Sequence, residues 1–209
     1  METYTRIPQK VLTRNLLSID IMDFKRIFDY ARETDAILIV QGDENSVDKT
    51  FFYLTGVSGG LFEGSALIVK PDELKIITSA LEEETARQTG LEVIVANGRG
   101  DFENAVKENL KNTNVVGLNY SSLTLEQYKR LLRVIPDKEF IDVSNSILES
   151  RRMKNPEELS RLRQAAKIGS AAFEKVIGKL HVGMTESEVA SELAYEMMKN
   201  VLSTLFSSP

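Results

Sequence analysis

Of the side chains that carry most enzyme chemistry, this 209-residue chain has one imidazole, His181, and no cysteine. Zero cysteines remove thiolate zinc sites, disulfides and cysteine nucleophiles together. A single histidine removes every site that needs two imidazoles, the His-x-x-x-His zinc motif included. His181 lies in Leu180-His181-Val182-Gly183, between two helical patterns, and is expected to be a solvated helix-end residue. Asn97-Gly98-Arg99-Gly100-Asp101 holds both a Gly-x-Gly and an Arg-Gly-Asp. The dinucleotide fingerprint needs a third glycine at fixed spacing, which is lacking, so a glycine turn with Asp101 capping the next helix is expected. Glu82-Glu83-Glu84 reads as a solvated first helical turn facing the positive end of the dipole. Phe51-Phe52-Tyr53 is a β-prone aromatic run whose default reading is the core of a strand.

Bulk composition narrows the partners. With 26 basic and 31 acidic side chains the net charge is −5, which disfavours nucleic acid and anionic membrane surfaces. The longest apolar runs, residues 36–40 and 65–69, are far too short to span a bilayer, and the N-terminus has no signal-peptide core. A cytoplasmic protein is expected.

The elements that must position these residues fall into two groups. Over residues 1–150, short β-like runs alternate with helical ones. Residues 20–34 show a helical face of Met22, Phe24, Ile27, Phe28 and Ala31, followed by an aliphatic strand at 36–40. The aromatic run at 50–55 is predicted as a strand, and 65–69 with 75–78 as a hairpin turning on Pro71-Asp72. Next come a helix at 81–89 opened by Ser79 and Glu82, a strand at 92–96, a helix at 101–110 and a strand at 115–119. A helix at 124–134, boxed by Thr124 and Gln127, and a strand at 139–143 complete an α/β domain with a mixed sheet.

The pattern changes near Arg151. Nine basic and seven acidic side chains lie from there on, against 17 and 24 before it. Asn155-Pro156-Glu157-Glu158 is a strong helix start, and Leu159, Leu162, Ala166, Gly169, Phe173, Val176 and Leu180 follow as one seam expected to be buried. Thr185 and Glu188 open a second helix with Val189, Ala190, Leu193, Ala194 and Met197. Two helices cannot bury both seams against each other alone, so they need a further surface. The tail, residues 201–209, has no charged residue and no clear period.

Three segments carry a family resemblance: Phe52-Tyr53-Leu54-Thr55-Gly56, Arg152-Met153-Lys154-Asn155-Pro156-Glu157-Glu158-Leu159 with Leu162-Arg163-Gln164-Ala165-Ala166, and Gly183-Met184-Thr185-Glu186-Ser187-Glu188-Val189-Ala190. In this order and spacing they resemble the creatinase/prolidase (pita-bread) metallopeptidases. The resemblance implies a creatinase-type N-terminal α/β domain with a ribonuclease-H-like sheet over residues 1–150. Residues 151–209 would then be the first two long helices of a truncated pita-bread catalytic domain. It also implies Xaa-Pro aminopeptidase or dipeptidase activity in the intact family, short proline-containing peptides as substrates, and a dimer.

The family's two divalent metals, manganese, cobalt or zinc, are held by two Asp, one His and two Glu that lie beyond the second helix. No cofactor is therefore expected on this chain, and no peptidase activity. Residues 200–209 fit the family pattern poorly, and a truncated or frameshifted reading frame is the expectation there. Phe52, Tyr53, Thr55 and Gly56, with the loop 57–64, are expected to line a substrate cleft. The other reading of the chain is a stand-alone module that associates through its bare helix seams. An active hydrolase using carboxylates alone, or a nuclease site on the sheet, has no motif behind it.

Overall fold

Side chains of a strand alternate between faces, so a sheet covered on both faces needs strands that are apolar almost throughout. The strands have that character: β1 (Ala36–Val40), β2 (Ala66–Lys70), β3 (Glu73–Thr78), β4 (Glu92–Val95), β5 (Val115–Leu118) and β6 (Glu139–Asp142). In the computed structural model, which describes residues 24–57 and 59–206, they form one mixed sheet in the order β4-β3-β2-β1-β5-β6. β2 runs antiparallel to β1 and β3, and every other pair is parallel. This is the ribonuclease-H-like α/β sheet that the resemblance implies.

Helices α1 (Lys49–Thr55), α2 (Glu83–Arg87), α3 (Arg99–Leu110), α4 (Leu125–Val134) and α5 (Ser144–Ser150) cover the sheet. Ile37, Ile39, Leu67, Val69, Leu74 and Ile76 face Phe51, Leu54, Ala86 and Ile147 of α1, α2 and α5, with Ile27 from a 3-10 turn at Phe24–Asp29. The alternate residues Ala36, Leu38, Ile68, Ile77, Val116 and Leu118 face Phe102, Val106, Leu110, Leu131 and Val134 of α3 and α4. Each fully buried aliphatic side chain contributes about 1.5–3 kcal/mol of transfer free energy, so these two layers dominate the unit's stability.

Several elements differ from the sequence expectation. The aromatic run at 50–55 is the helix α1, not a strand: Asp48 and Gly56 bracket it as caps, and end signals outweigh β propensity. The helix expected over 81–89 shrinks to Glu83–Arg87, and its N-cap, Glu82, makes no side-chain cap bond. α3 starts at Arg99 after Gly98, and Asp101 is not its cap; its carboxylate accepts the Asn97 N–H at 3.1 Å. Of the helical face at 20–34, the described part is the short 3-10 turn, and Met22 lies outside the described residues. α5 is an element the periodicity did not announce. By contrast, β1 and the hairpin appear as expected, and Thr124 and Gln127 form their reciprocal capping box.

A second compact unit begins at Met153. Its helices α6 (Pro156–Ile177) and α7 (Glu186–Phe206) carry the expected capping boxes, Asn155 with Glu158 and Thr185 with Glu188. The expected buried seam is not buried. Ala172 and Val176 are enclosed, but Leu162 is 54%, Phe173 58% and Leu180 50% exposed. Two cylinders touch along one narrow stripe, and side chains off that stripe stay in solvent. Glu196, 4% exposed, crosses that stripe to Lys175 at 3.2 Å and Lys179 at 3.1 Å. α7 continues to Phe206, so the tail expected to lack a period is helical up to there; residues 207–209 lie outside the described ones.

Candidate functional site

The candidate cleft residues are held by α1. Asp48 Oδ1 accepts the Thr50 N–H at 2.8 Å and satisfies one of the free donors at the helix start. Gln41 fastens the approach: its Oε1 accepts the Asp48 N–H at 2.8 Å, and its Nε2 donates to the Asp48 carbonyl at 3.2 Å. At the other end Gly56 adopts φ 67°, a left-handed cap that a Cβ would penalise, and its N–H reaches the Phe52 carbonyl at 2.9 Å. The Thr55 hydroxyl donates to the Phe51 carbonyl at 2.8 Å.

The loop after α1 is locked from a distance. Glu82 Oε1 accepts the N–H groups of Leu61 at 3.0 Å and Phe62 at 3.2 Å. Phe62 is the one non-glycine among the described residues with a positive φ, 53°. Its fully buried ring lies 5.0 Å from Phe51 and 6.3 Å from Phe52, centroid to centroid. The aromatic cluster and the Glu82 hydrogen bonds together hold a backbone conformation that alone would be unfavourable.

The four expected residues therefore play unequal parts. Phe52 and Tyr53 are half-buried. Thr55 is fully buried with its hydroxyl committed to the helix, and Gly56 shapes the turn. Tyr53 carries the Arg151 guanidinium over its ring, Cζ to centroid 4.4 Å. Sequence reasoning missed three residues on this side of the unit: Asp48, Asn119 and Arg151. Asp48 had a signal, since an Asp ahead of a seven-residue run closed by Gly is a helix frame. Asn119 and Arg151 had none, because they meet Asp48 and Tyr53 only through the fold.

The other candidates stay apart from this region. His181 is exposed, with Nδ1 3.1 Å from the Val182 carbonyl, and Gly98 and Gly100 sit in the turn that starts α3. Tyr120 packs edge-on to Tyr128; burial, then the neighbouring phenol, push its pKa up to about 12, away from acid–base work at neutral pH. Among the described residues no three His, Asp or Glu side chains converge as a metal site.

Two family profiles match the chain: the Creatinase/Prolidase N-terminal domain over residues 30–154, and Metallopeptidase family M24 over residues 160–207. The second match runs into the tail that was expected to depart from the family pattern. An Xaa-Pro dipeptidase of Pyrococcus furiosus is 31% identical over 169 residues, 76% of this chain and 46% of its own length. Among solved structures, the X-Pro aminopeptidase of Thermotoga maritima superposes with a TM-score of 0.70 at 27% identity, covering 80% of this chain and 47% of that one. The Xaa-Pro dipeptidase of Bacillus anthracis gives 0.68 at 26% identity, covering 85% and 48%. The chain spans about half the length of these relatives. Its sheet, the helix-capped Tyr-Leu-Thr-Gly segment and both profile matches place the chain in the creatinase/prolidase family.

Proposed function

We propose that this chain is the N-terminal portion of an Xaa-Pro dipeptidase or aminopeptidase, a substrate-gating and dimerising part that has no peptidase activity of its own. The observation that carries the reading is the pair of profile matches, in family order, on a chain of half the relatives' length. In an intact enzyme of this family the resemblance implies a pair of divalent metals, manganese, cobalt or zinc, which would supply Lewis-acid and water-activating chemistry for the hydrolysis. Here the donors that would hold such a pair are not brought together among the described residues. What this chain supplies is shape. The half-buried Phe52 and Tyr53 contribute aromatic surface to a cleft for a short proline-containing peptide, while Thr55, Gly56 and the Glu82-locked loop set their position. No helix among the described residues is long and apolar enough to cross a membrane, in keeping with a cytoplasmic place of action.

The test is hydrolysis of Xaa-Pro dipeptides by the full chain with added manganese or cobalt, alongside metal analysis. No turnover above blank and no bound metal pair are expected; measurable turnover overturns the reading.

A second reading, a stand-alone self-associating module, is favoured by the exposed Leu162, Phe173, Ile177 and Leu180 of the helical unit. Sedimentation at rising concentration tests it: a strict monomer rules out association by the chain alone.

A further inference from the structure

In α/β folds, ligands collect at the carboxyl ends of parallel strands, where loops diverge and backbone groups are free to turn. β1, β5 and β6 are mutually parallel, and the segments that follow them line an open cleft of about 530 Å³. That size suits a small organic ligand, for which roughly 300–1,000 Å³ is usual. The cleft lies apart from the Glu82-locked loop and takes none of the four cleft residues expected from the sequence.

Its chemistry is asymmetric. Two cations line it, Lys49 and Arg151, and neither makes an ion pair among the described residues. Arg151 is held over the Tyr53 ring, so its planar fork is oriented with less entropy to lose on binding. The one carboxylate in the lining, Asp48, is 3% exposed and committed on both oxygens: Oδ1 to the Thr50 N–H, Oδ2 to Asn119 Nδ2 at 2.7 Å. Asn119 Nδ2 also reaches Ser122 Oγ at 3.3 Å, which uses that hydroxyl as an acceptor and leaves its proton to donate. Ile147 and the exposed Leu148 add an apolar wall.

We infer that this cleft binds a small organic carboxylate with an apolar body, the carboxylate received by Arg151 and Lys49 with a hydrogen bond from Ser122, the body lying against Leu148. An anion answers two cations that make no ion pair among the described residues, and bidentate guanidinium–carboxylate pairing answers an oriented arginine. The apolar wall sets this ligand apart from a bare inorganic anion.

The experiment is titration of the full chain with N-acetyl-leucine, followed by backbone-amide NMR. Saturable shifts are expected at Asn119, Ser122 and Asn145. N-acetyl-leucinamide, which lacks the charge, and inorganic phosphate, which lacks the body, should bind at least roughly tenfold more weakly, the factor that one charge-assisted hydrogen bond commands. Lys49→Gln, at an exposed position, and Arg151→Gln should each weaken N-acetyl-leucine by a similar factor. Should Arg151→Gln lose its fold by circular dichroism, the Lys49 variant carries the decision. No saturable shift, equal binding of the amide, or equal binding of phosphate overturns the assignment.

Discussion

Glu82 and Phe62, twenty residues apart, are joined by a hydrogen bond of 3.2 Å from the Phe62 N–H to the Glu82 carboxylate. The bond holds a buried aromatic residue at φ 53°, a conformation most side chains avoid. Removing the carboxylate leaves the Leu61 and Phe62 donors without that partner. Glu82→Ala should therefore cost about 1–3 kcal/mol in stability, as loss of charge-assisted bonds to backbone does. Hydrogen exchange at the Leu61 and Phe62 amides should accelerate before that of β2 and β3. Unchanged exchange there would mean that ring packing alone holds the loop.

Gly117 in β5 leaves no room for a methyl group. An added Cβ would lie 2.7 Å from Val143 Cγ1 and 3.0 Å from Thr34 Cγ2. Both neighbours are β-branched and stiff, so Gly117→Ala should destabilise the α/β unit by about 1–3 kcal/mol, the usual cost of overpacking. Chemical denaturation measures it. The double variant Gly117→Ala with Val143→Ala should lose less than the sum of the two single variants.

Asp35 ties the start of β5 to the entry of β1. Its Oδ2 accepts the Asn114 N–H at 2.6 Å and the Val115 N–H at 3.0 Å, and these bonds, Val115's first, lower the carboxyl pKa. A pKa lowered by folding gives stability that is present above the unfolded value near 3.9 and lost as pH falls through the folded one. The wild type should therefore unfold at a higher temperature than Asp35→Asn at pH 7, with the gap closing as pH drops below about 4. A gap that stays constant down to pH 2 would deny the carboxylate this role.

Glu196 fastens α7 to α6. Its side chain bonds Lys179 and Lys175, and that pairing, Lys179's first, lowers its pKa. Glu196→Ala removes the partner of Lys175 on α6 and of Lys179 just past its end, so exchange of the α7 amides should quicken while the sheet amides keep their rates. By the same sign rule, the bond's contribution is present above the ordinary glutamate pKa and disappears as pH falls through the lowered one. A combined Lys175→Met and Lys179→Met variant should be less sensitive to pH in this range than the wild type.

The parts of the fold that were legible in the sequence are those written in neighbouring residues. β1 needed only five consecutive aliphatics, and the capping boxes of Thr124, Asn155 and Thr185 needed a partner three residues away. α1 misled because its aromatic interior favours a strand, while its instructions lie at the two ends, in Asp48 and Gly56. The helix at 81–89 misled for a related reason: Glu82, read as a local cap, spends its carboxylate on a loop twenty residues earlier.

The sequence by itself determined the family, the two-part organisation of its motifs and the type of chemistry open to the chain. A missing cysteine, a single histidine and motif spacing are one-dimensional facts that folding does not alter. The tertiary structure decided which polar groups meet. Asp48 with Asn119, and Tyr53 with Arg151, come together because three parallel strands deliver the ends of distant segments to one rim. It also decided that most of the α6 seam stays in solvent, since burial depends on how many surfaces surround a helix and not on the spacing of its own apolar residues.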